Sequence, residues 1–185
     1  MTNEARNNLI LAMNDPSNVL YSDDFVVIIA DQFPKSKHHY LVMPKEDLLD
    51  VRSLKKDHIP KLIYMEFKGL EYVMFRTGLM AQDLQVGYHA FTSMNRLHLH
   101  VLSKDFCGRD MKQNHQWNSF NTEFFIPTHK IISELQTMGH ILLPSNKKFL
   151  HQPLQCNKCD YLTNDIKQLK SHLKLIHNLP KLFDI

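Results

Sequence analysis

Two histidines one residue apart, His98 and His100, sit in the run Leu97-His98-Leu99-His100-Val101-Leu102. Imidazole alternating with aliphatic side chains has a period of two. A strand over this run therefore puts both rings on one face and the aliphatic residues on the other. Imidazole titrates closest to neutral pH and can act as nucleophile, acid or base. Two rings side by side on a rigid element sacrifice apolar packing, which a catalytic role explains. The competing readings are a metal-binding pair and two satisfied polar residues on an exposed edge.

A second cluster has a different character. Cys156, Cys159, His172 and His177 follow the spacing Cys-x2-Cys-x12-His-x4-His. Two thiolates on a knuckle and two imidazoles one turn apart on a helix reach one tetrahedral zinc. All four positions are filled by protein, so the zinc is expected to be structural. Thr163 is the expected N-cap of the finger helix, and Leu169 and Leu173 its small core. Cys107 is left over as an ordinary thiol. The helix offers Lys167, Lys170 and Lys174 as phosphate contacts, which would position a duplex without reading it. The alternative is a finger that packs on the rest of the chain or binds a protein.

The elements that must carry these clusters follow from periodicity. Glu4 to Met13 reads as a short helix, and Val19–Tyr21, Phe25–Ala30 and His39–Met43 as strands. Ile59 to Met80 has apolar residues at helical spacing, with Asp57 as N-cap and Pro60 in the first turn. Val86–Phe91 and Leu97–Leu102 are further strands. The segment after Lys104 reads as irregular and polar, with Trp117 and Phe120 pinning it onto the sheet rather than stacking on bases. Thr128 to Met138 reads as helix. This order predicts an α+β domain with a mainly antiparallel sheet over residues 1–146, and a zinc-finger domain over 147–185.

The chain has 185 residues, with 43% hydrophobic and 22% charged, ordinary values for a folded protein. It shows neither an apolar run long enough to cross a membrane nor a signal-peptide pattern, and three cysteines make no disulfide framework. A soluble protein of a reducing compartment is expected. Net charge is +3, but the stretch from Lys147 to Ile185 carries seven lysines against three aspartates. A basic tail on a nearly neutral body suits a polyanion partner.

The motifs together carry a resemblance. Ser93-x4-His98-x-His100-Val101-Leu102, with Pro34-x4-His39 entering an earlier strand, resembles the histidine-triad superfamily of nucleotide hydrolases and transferases. Asp31-x2-Pro34-Lys35-x3-His39, Val86-Gly87-Tyr88-His89, and Trp117-Asn118-Ser119-Phe120-Asn121-Thr122-Glu123 narrow it. With the Cys2His2 finger behind them, they resemble the aprataxin family over nearly the whole chain.

The resemblance implies a hydrolase of the phosphoanhydride in adenylated DNA. It would remove AMP from abortive ligation intermediates and restore a 5′-phosphate, with no catalytic metal. It makes His98 the nucleophile that carries AMP. His100 would assist the leaving group, with His39 as an additional histidine and Ser93, His89 and Lys35 holding phosphates or the DNA end. Asp31 would bind the ribose hydroxyls, with Ile29 and Leu41 walling the adenine. The expected partners are nicked or broken DNA bearing 5′-AMP, RNA–DNA junctions included, with AMP as product. A nuclear monomer that uses no membrane is expected, the cytoplasm being the second compartment.

One position departs from the triad pattern. Arg96 stands where the first histidine would be, and its forked donors suit a DNA phosphate. Two rivals remain. A small-molecule nucleoside phosphoramidate or dinucleoside polyphosphate hydrolase would keep the chemistry but not need the finger. A non-catalytic nucleic-acid-binding protein would keep only the fold.

Overall fold

Val, Ile, Leu and Met dominate the segments Val26–Ala30, His39–Pro44 and Leu99–Ser103, and these become the central strands. The computed structural model describes residues 7–177. In chain order the main domain runs α1 (Asn8–Asn14), β1 (Val19–Ser22), β2 (Val26–Ala30), β3 (His39–Pro44), α2 (Ile59–Thr77), β4 (Leu84–His89), β5 (Leu99–Ser103), α3 (Asn114–Asn121), β6 (Phe125–Pro127) and α4 (Thr128–Met138). The finger follows with β7 (Leu154–Gln155), β8 (Leu162–Thr163) and α5 (Ile166–His172). Six strands form one sheet in the order β1-β2-β3-β5-β4-β6, every pair antiparallel. This is the expected α+β architecture.

The two faces of the sheet are packed differently. On one face Val26, Ile28, Val42, Leu99 and Val101 meet Leu62, Met65 and Val73 of α2 and Ile131 and Leu135 of α4. Helix α2 lies close because Gly69 faces the sheet. A Cβ there would come within 2.8 Å of Val101 and 2.9 Å of Val42. The other face is divided. Leu9 and Met13 of α1 cover Val27, Ile29, Leu41 and Met43 at one end. At the opposite end Leu102, Phe106, Met111, Trp117, Phe120 and Phe125 share a core with Leu154, Cys156, Ile166, Leu169 and Leu173 of the finger.

Several local expectations meet a different structure. Helix α2 stops at Thr77 because Gly78 takes a left-handed turn (φ 73°) whose amide bonds back to Met74. Asp57 lies in a 3₁₀ turn, Lys56–His58, and His58 precedes the helix. The segment read as irregular contains α3. Its polar sequence has weak helix propensity, and Trp117, Asn118 and Phe120 hold it by burial. The finger helix is capped by Asp165, whose carboxylate accepts the Lys167 amide, while Thr163 pairs in β8. Of the N-terminal helix, residues 4–6 lie outside the described residues, as do residues 178–185 of the finger. Among the described residues no helix is long and apolar enough to cross a membrane.

Candidate active site and metal centre

Strand register gathers the imidazoles. Ile29 pairs with Leu41, Leu41 with His100, and His100 with Gly87. One row across the sheet thus runs from the expected adenine walls to the expected catalytic histidine. Gly87 is needed for the close approach of β6, since a Cβ there would lie 2.4 Å from the Ile126 carbonyl oxygen. His39 enters β3 beside this row and His89 ends β4. His98 and His100 are 3% and 4% exposed, with ring centroids 5.0 Å apart. His89 lies 4.5 Å from His100 and His39 5.2 Å from it. Four imidazoles therefore form one cluster, with His39, His98 and His100 buried and His89 partly exposed.

The hydrogen bonds assign the protons. His98 Nδ1 lies 2.8 Å from the Arg96 carbonyl oxygen, which can only accept. The proton therefore sits on Nδ1, and Nε2 carries the lone pair. The Lys35 amide donates to His39 Nδ1 at 3.2 Å, which puts the His39 proton on Nε2. That proton faces His100 Nδ1 at 3.0 Å, with Asp31 Oδ2 at 3.4 Å. His100 Nδ1 is then the acceptor, and His100 keeps its proton on Nε2. His100 Nε2 and His89 Nε2 are both buried without a protein partner, as expected of a site that takes a polar ligand.

Burial holds the cluster neutral. It pushes the His39 imidazole down to about 4 and His89 to about 3, with neighbouring charges secondary. His98 and His100 are also lowered by burial, opposed at His98 by the Arg96 carbonyl and the Asp31 charge. The Lys35 ammonium is half-buried and lowered by desolvation, against the pull of Asp31 and Asp110. A neutral imidazole can attack phosphorus, and imidazole N–H groups and an ammonium beside it can hold phosphate oxygens.

Each expected residue now has a place. Asp31 follows β2 and accepts the Phe33 amide at 2.7 Å. Ile29 and Leu41 are buried with Leu9 and Met13 of α1. Ser93 is exposed on the loop that leads to His98. The Arg96 side chain is turned inward and is 10% exposed. In the finger, Lys167 and Lys174 are exposed, whereas Lys170 Nζ donates to the Met111 carbonyl and ties the finger to the main domain. Cys107 is exposed and its Sγ donates to the Asp105 carbonyl.

Sequence reasoning missed the floor of the site. Phe120 is packed against His39, His89 and His100 at 5.5, 4.6 and 5.3 Å. It pins α3 onto the sheet as expected, and its ring also supplies the apolar wall that desolvates those imidazoles. Trp117 is also an anchor, but toward the finger. It is fully buried, and its Nε1 donates to the Gln155 carbonyl at 3.0 Å.

The metal centre meets its chemistry. Cys159 Sγ and His172 Nε2 are 3.2 Å apart, His177 Nε2 is 3.3 Å from Cys159 Sγ, and the two imidazole nitrogens are 3.2 Å apart. With Cys156 these atoms converge on one point, and such separations suit the edges of a zinc tetrahedron. Cys156, Cys159, His172 and His177 hold a structural zinc.

Comparison with known proteins agrees with both halves. Residues 5–116 match the family model described as scavenger mRNA decapping enzyme C-term binding. Residues 121–176 match the C2HE / C2H2 / C2HC zinc-binding finger. The aprataxin-like protein of Drosophila melanogaster is 40% identical over 168 residues, covering 89% of this chain and 25% of that protein. The aprataxin-like protein of Schizosaccharomyces pombe is 30% identical and covers 91% of this chain and 80% of that one. The crystal structure of the aprataxin ortholog Hnt3 in complex with DNA superposes with a TM-score of 0.76 at 29% identity, covering 92% of this chain and 93% of Hnt3. The chain spans about half the length, or less, of several aprataxins it matches. In sequence, in sheet topology and in the finger fused behind the histidine cluster, the chain belongs to the aprataxin family.

Proposed function

We propose that the protein is a DNA 5′-adenylate hydrolase that removes AMP from abortive ligation intermediates at DNA breaks. The observation that supports this most is the His98 tautomer. A buried neutral imidazole with its proton on Nδ1 presents the Nε2 lone pair for attack on phosphorus. The DNA complex of Hnt3, a protein of the same family, supports DNA as the substrate.

The chemistry follows from these groups. His98 Nε2 attacks the α-phosphorus of the AMP moiety, forming a P–N bond. The bond from that phosphorus to the bridging oxygen breaks, and the DNA leaves with its 5′-phosphate. His100 Nε2–H donates to the phosphate oxygens as charge moves onto the leaving group, and His39 fixes its tautomer. Water then attacks the same phosphorus, the P–N bond breaks, and AMP departs from regenerated His98. One such donor is typically worth about 10²–10³ in rate, so the imidazole and lysine donors take the role of a metal ion and catalysis needs none. Ser93, His89 and Lys35 hold the phosphates, Asp31 the ribose hydroxyls, and Ile29 and Leu41 the adenine. Lys167 and Lys174 on the finger position the duplex beside a monomeric enzyme, at work in the nucleus.

The test is AMP release from a nicked duplex carrying a 5′-adenylate, without added divalent metal. Release by the wild type and none by His98→Ala is the expected result. Cleavage of a small adenosine phosphoramidate with no release from DNA would move the chain to the small-molecule branch.

A further inference from the structure

Arg96 has a backbone that L-residues rarely adopt. Its φ is 84°, a strained conformation that persists only where the surroundings enforce it. The enforcement is visible. One terminal guanidinium nitrogen (Nη1) donates to the Glu46 carbonyl at 2.7 Å and lies 3.4 Å from Asp47 Oδ1. The next amide, of Leu97, donates to the Leu48 carbonyl at 2.7 Å. On the other side Asn95 Nδ2 donates to Asn7 Oδ1 at the start of α1. The carbonyl of Arg96 is thus clamped from both directions, and it is the group that accepts the His98 Nδ1 proton at 2.8 Å.

We propose that Arg96 is a positioning residue: its guanidinium latches the loop at 92–96 onto the turn at 46–48, and so holds the carbonyl that fixes the His98 tautomer. The latch matters because a neutral histidine side chain in water prefers its proton on Nε2, the tautomer that cannot attack. A carbonyl free to swing away releases His98 to that form. The side chain is only 10% exposed, so it is buried in the protein rather than offered to a surface phosphate. The inference rests on the reading of His98 as nucleophile.

The experiment compares wild type with R96A, R96G and R96K in AMP release from a nicked 5′-adenylated duplex. Long-range 15N NMR of the histidine rings is recorded on the same free proteins. Glycine tolerates the positive φ but has no latch. R96A and R96G are each expected to lower kcat about 10–100-fold with KM nearly unchanged, the usual cost of removing a supporting partner. R96K, whose ammonium can still reach a carbonyl, should recover much of the rate. The 15N spectrum of R96A should show the Nε2–H tautomer at His98, which a merely structural role would not produce.

Full activity in R96G would overturn the latch and leave backbone conformation as the whole effect. A loss confined to KM, with a shallower salt dependence, would make Arg96 a DNA contact instead. If R96A and R96G fail to fold, R96M, which keeps an aliphatic stem but has no donor for the Glu46 carbonyl, decides: a His98 Nε2–H tautomer with lowered kcat supports the latch, and wild-type values for both overturn it. If the wild type itself releases no AMP from DNA, the substrate reading fails. The tautomer spectrum then still decides the latch, since an unchanged His98 in R96A contradicts it.

Discussion

The chain contains two histidine clusters, and the same side chain does opposite work in them. In the finger, His172 and His177 point their Nε2 atoms at each other and at Cys159, 3.2–3.3 Å apart, so their lone pairs converge on a cation. In the sheet, His98 is locked through Nδ1 onto a carbonyl, and His39 is locked onto the Lys35 amide. His39 Nε2 donates onward to His100 Nδ1, while His98 Nε2 keeps its lone pair, so these nitrogens do not meet at a point. Asp31, His39 and His100 do bring three ligand atoms within 4.8 Å. There, the hydrogen bond at 3.0 Å and the 3.4 Å contact of the same His39 nitrogen with Asp31 already account for the approach. What separates the clusters is convergence: in the finger the ring nitrogens meet two cysteine sulfurs at one point, whereas in the sheet the His100 Nδ1 lone pair is taken by His39.

The largest effect should come from the sheet cluster. His98→Ala removes the atom that forms the P–N bond and should lower the rate of AMP release by about 10⁴-fold or more. Melting temperature should change little in comparison. A variant within tenfold of wild type would put the bond-making atom elsewhere.

Next comes the finger cluster, where the loss should be in folding. Cys159→Ser should abolish stoichiometric zinc binding, measured by metal analysis, and lower the unfolding midpoint. The loss should reach the main domain, because Leu154, Ile166, Leu169 and Leu173 share a core with Trp117 and Phe120. Trp117→Ala tests the same seam without touching the metal and should cost about 3–5 kcal/mol in denaturant unfolding. If either change leaves the stability of the sheet domain intact, the two regions are separate units.

Acid should destabilise the sheet cluster through its buried rings. In the unfolded chain His39 and His89 titrate near 6.5, and in the folded protein at about 4 and about 3. Between those values the unfolded state binds more protons, so stability falls as pH drops below about 6.5, by up to roughly 1.4 kcal/mol per pH unit for each ring. Turnover should stay flat through the ordinary imidazole range and fall only on its acid side, since His98 is also held below it. A kcat profile with a midpoint at an unperturbed histidine value would contradict a buried neutral nucleophile.

The smallest effects belong to the surface lysines of the finger. Lys167→Ala and Lys174→Ala should each leave kcat intact, weaken DNA binding, and reduce the salt slope by about one. Lys170→Ala should instead lower stability, since its ammonium bonds to the Met111 carbonyl. A salt slope changed by Lys170→Ala and not by the others would reverse the assignment.

Short-range patterns carried the parts of the fold that depend on neighbours in sequence. The period-two run, which forms β5 from Leu99 and leaves Leu97 and His98 just ahead of it, the four metal ligands and the 128–138 helix are all of this kind. The long-range parts were silent. Helix α3 has a polar sequence of weak propensity and forms because Trp117 is buried against the finger while Phe120 is buried under the imidazoles. Arg96 looks like a surface cation in sequence, and only its left-handed backbone and its bond to Glu46 turn it inward. Lys170 stands at the same helical spacing as Lys167 and Lys174, yet the seam between finger and sheet domain claims it. The motif Val86-Gly87-Tyr88-His89 points to His89 through the resemblance, but only strand order shows that it lies 4.5 Å from His100.

The most direct test of the account is capture of the covalent intermediate. Protein is mixed with nicked DNA whose 5′-adenylate is radiolabelled in the AMP phosphate, and quenched by denaturation at alkaline pH, where a phosphoramidate survives. The account predicts label on the wild-type chain, mapped to the peptide containing His98, released by acid, and absent in His98→Ala. AMP release at full rate with no label on His98 would contradict it and make water, not imidazole, the attacking group.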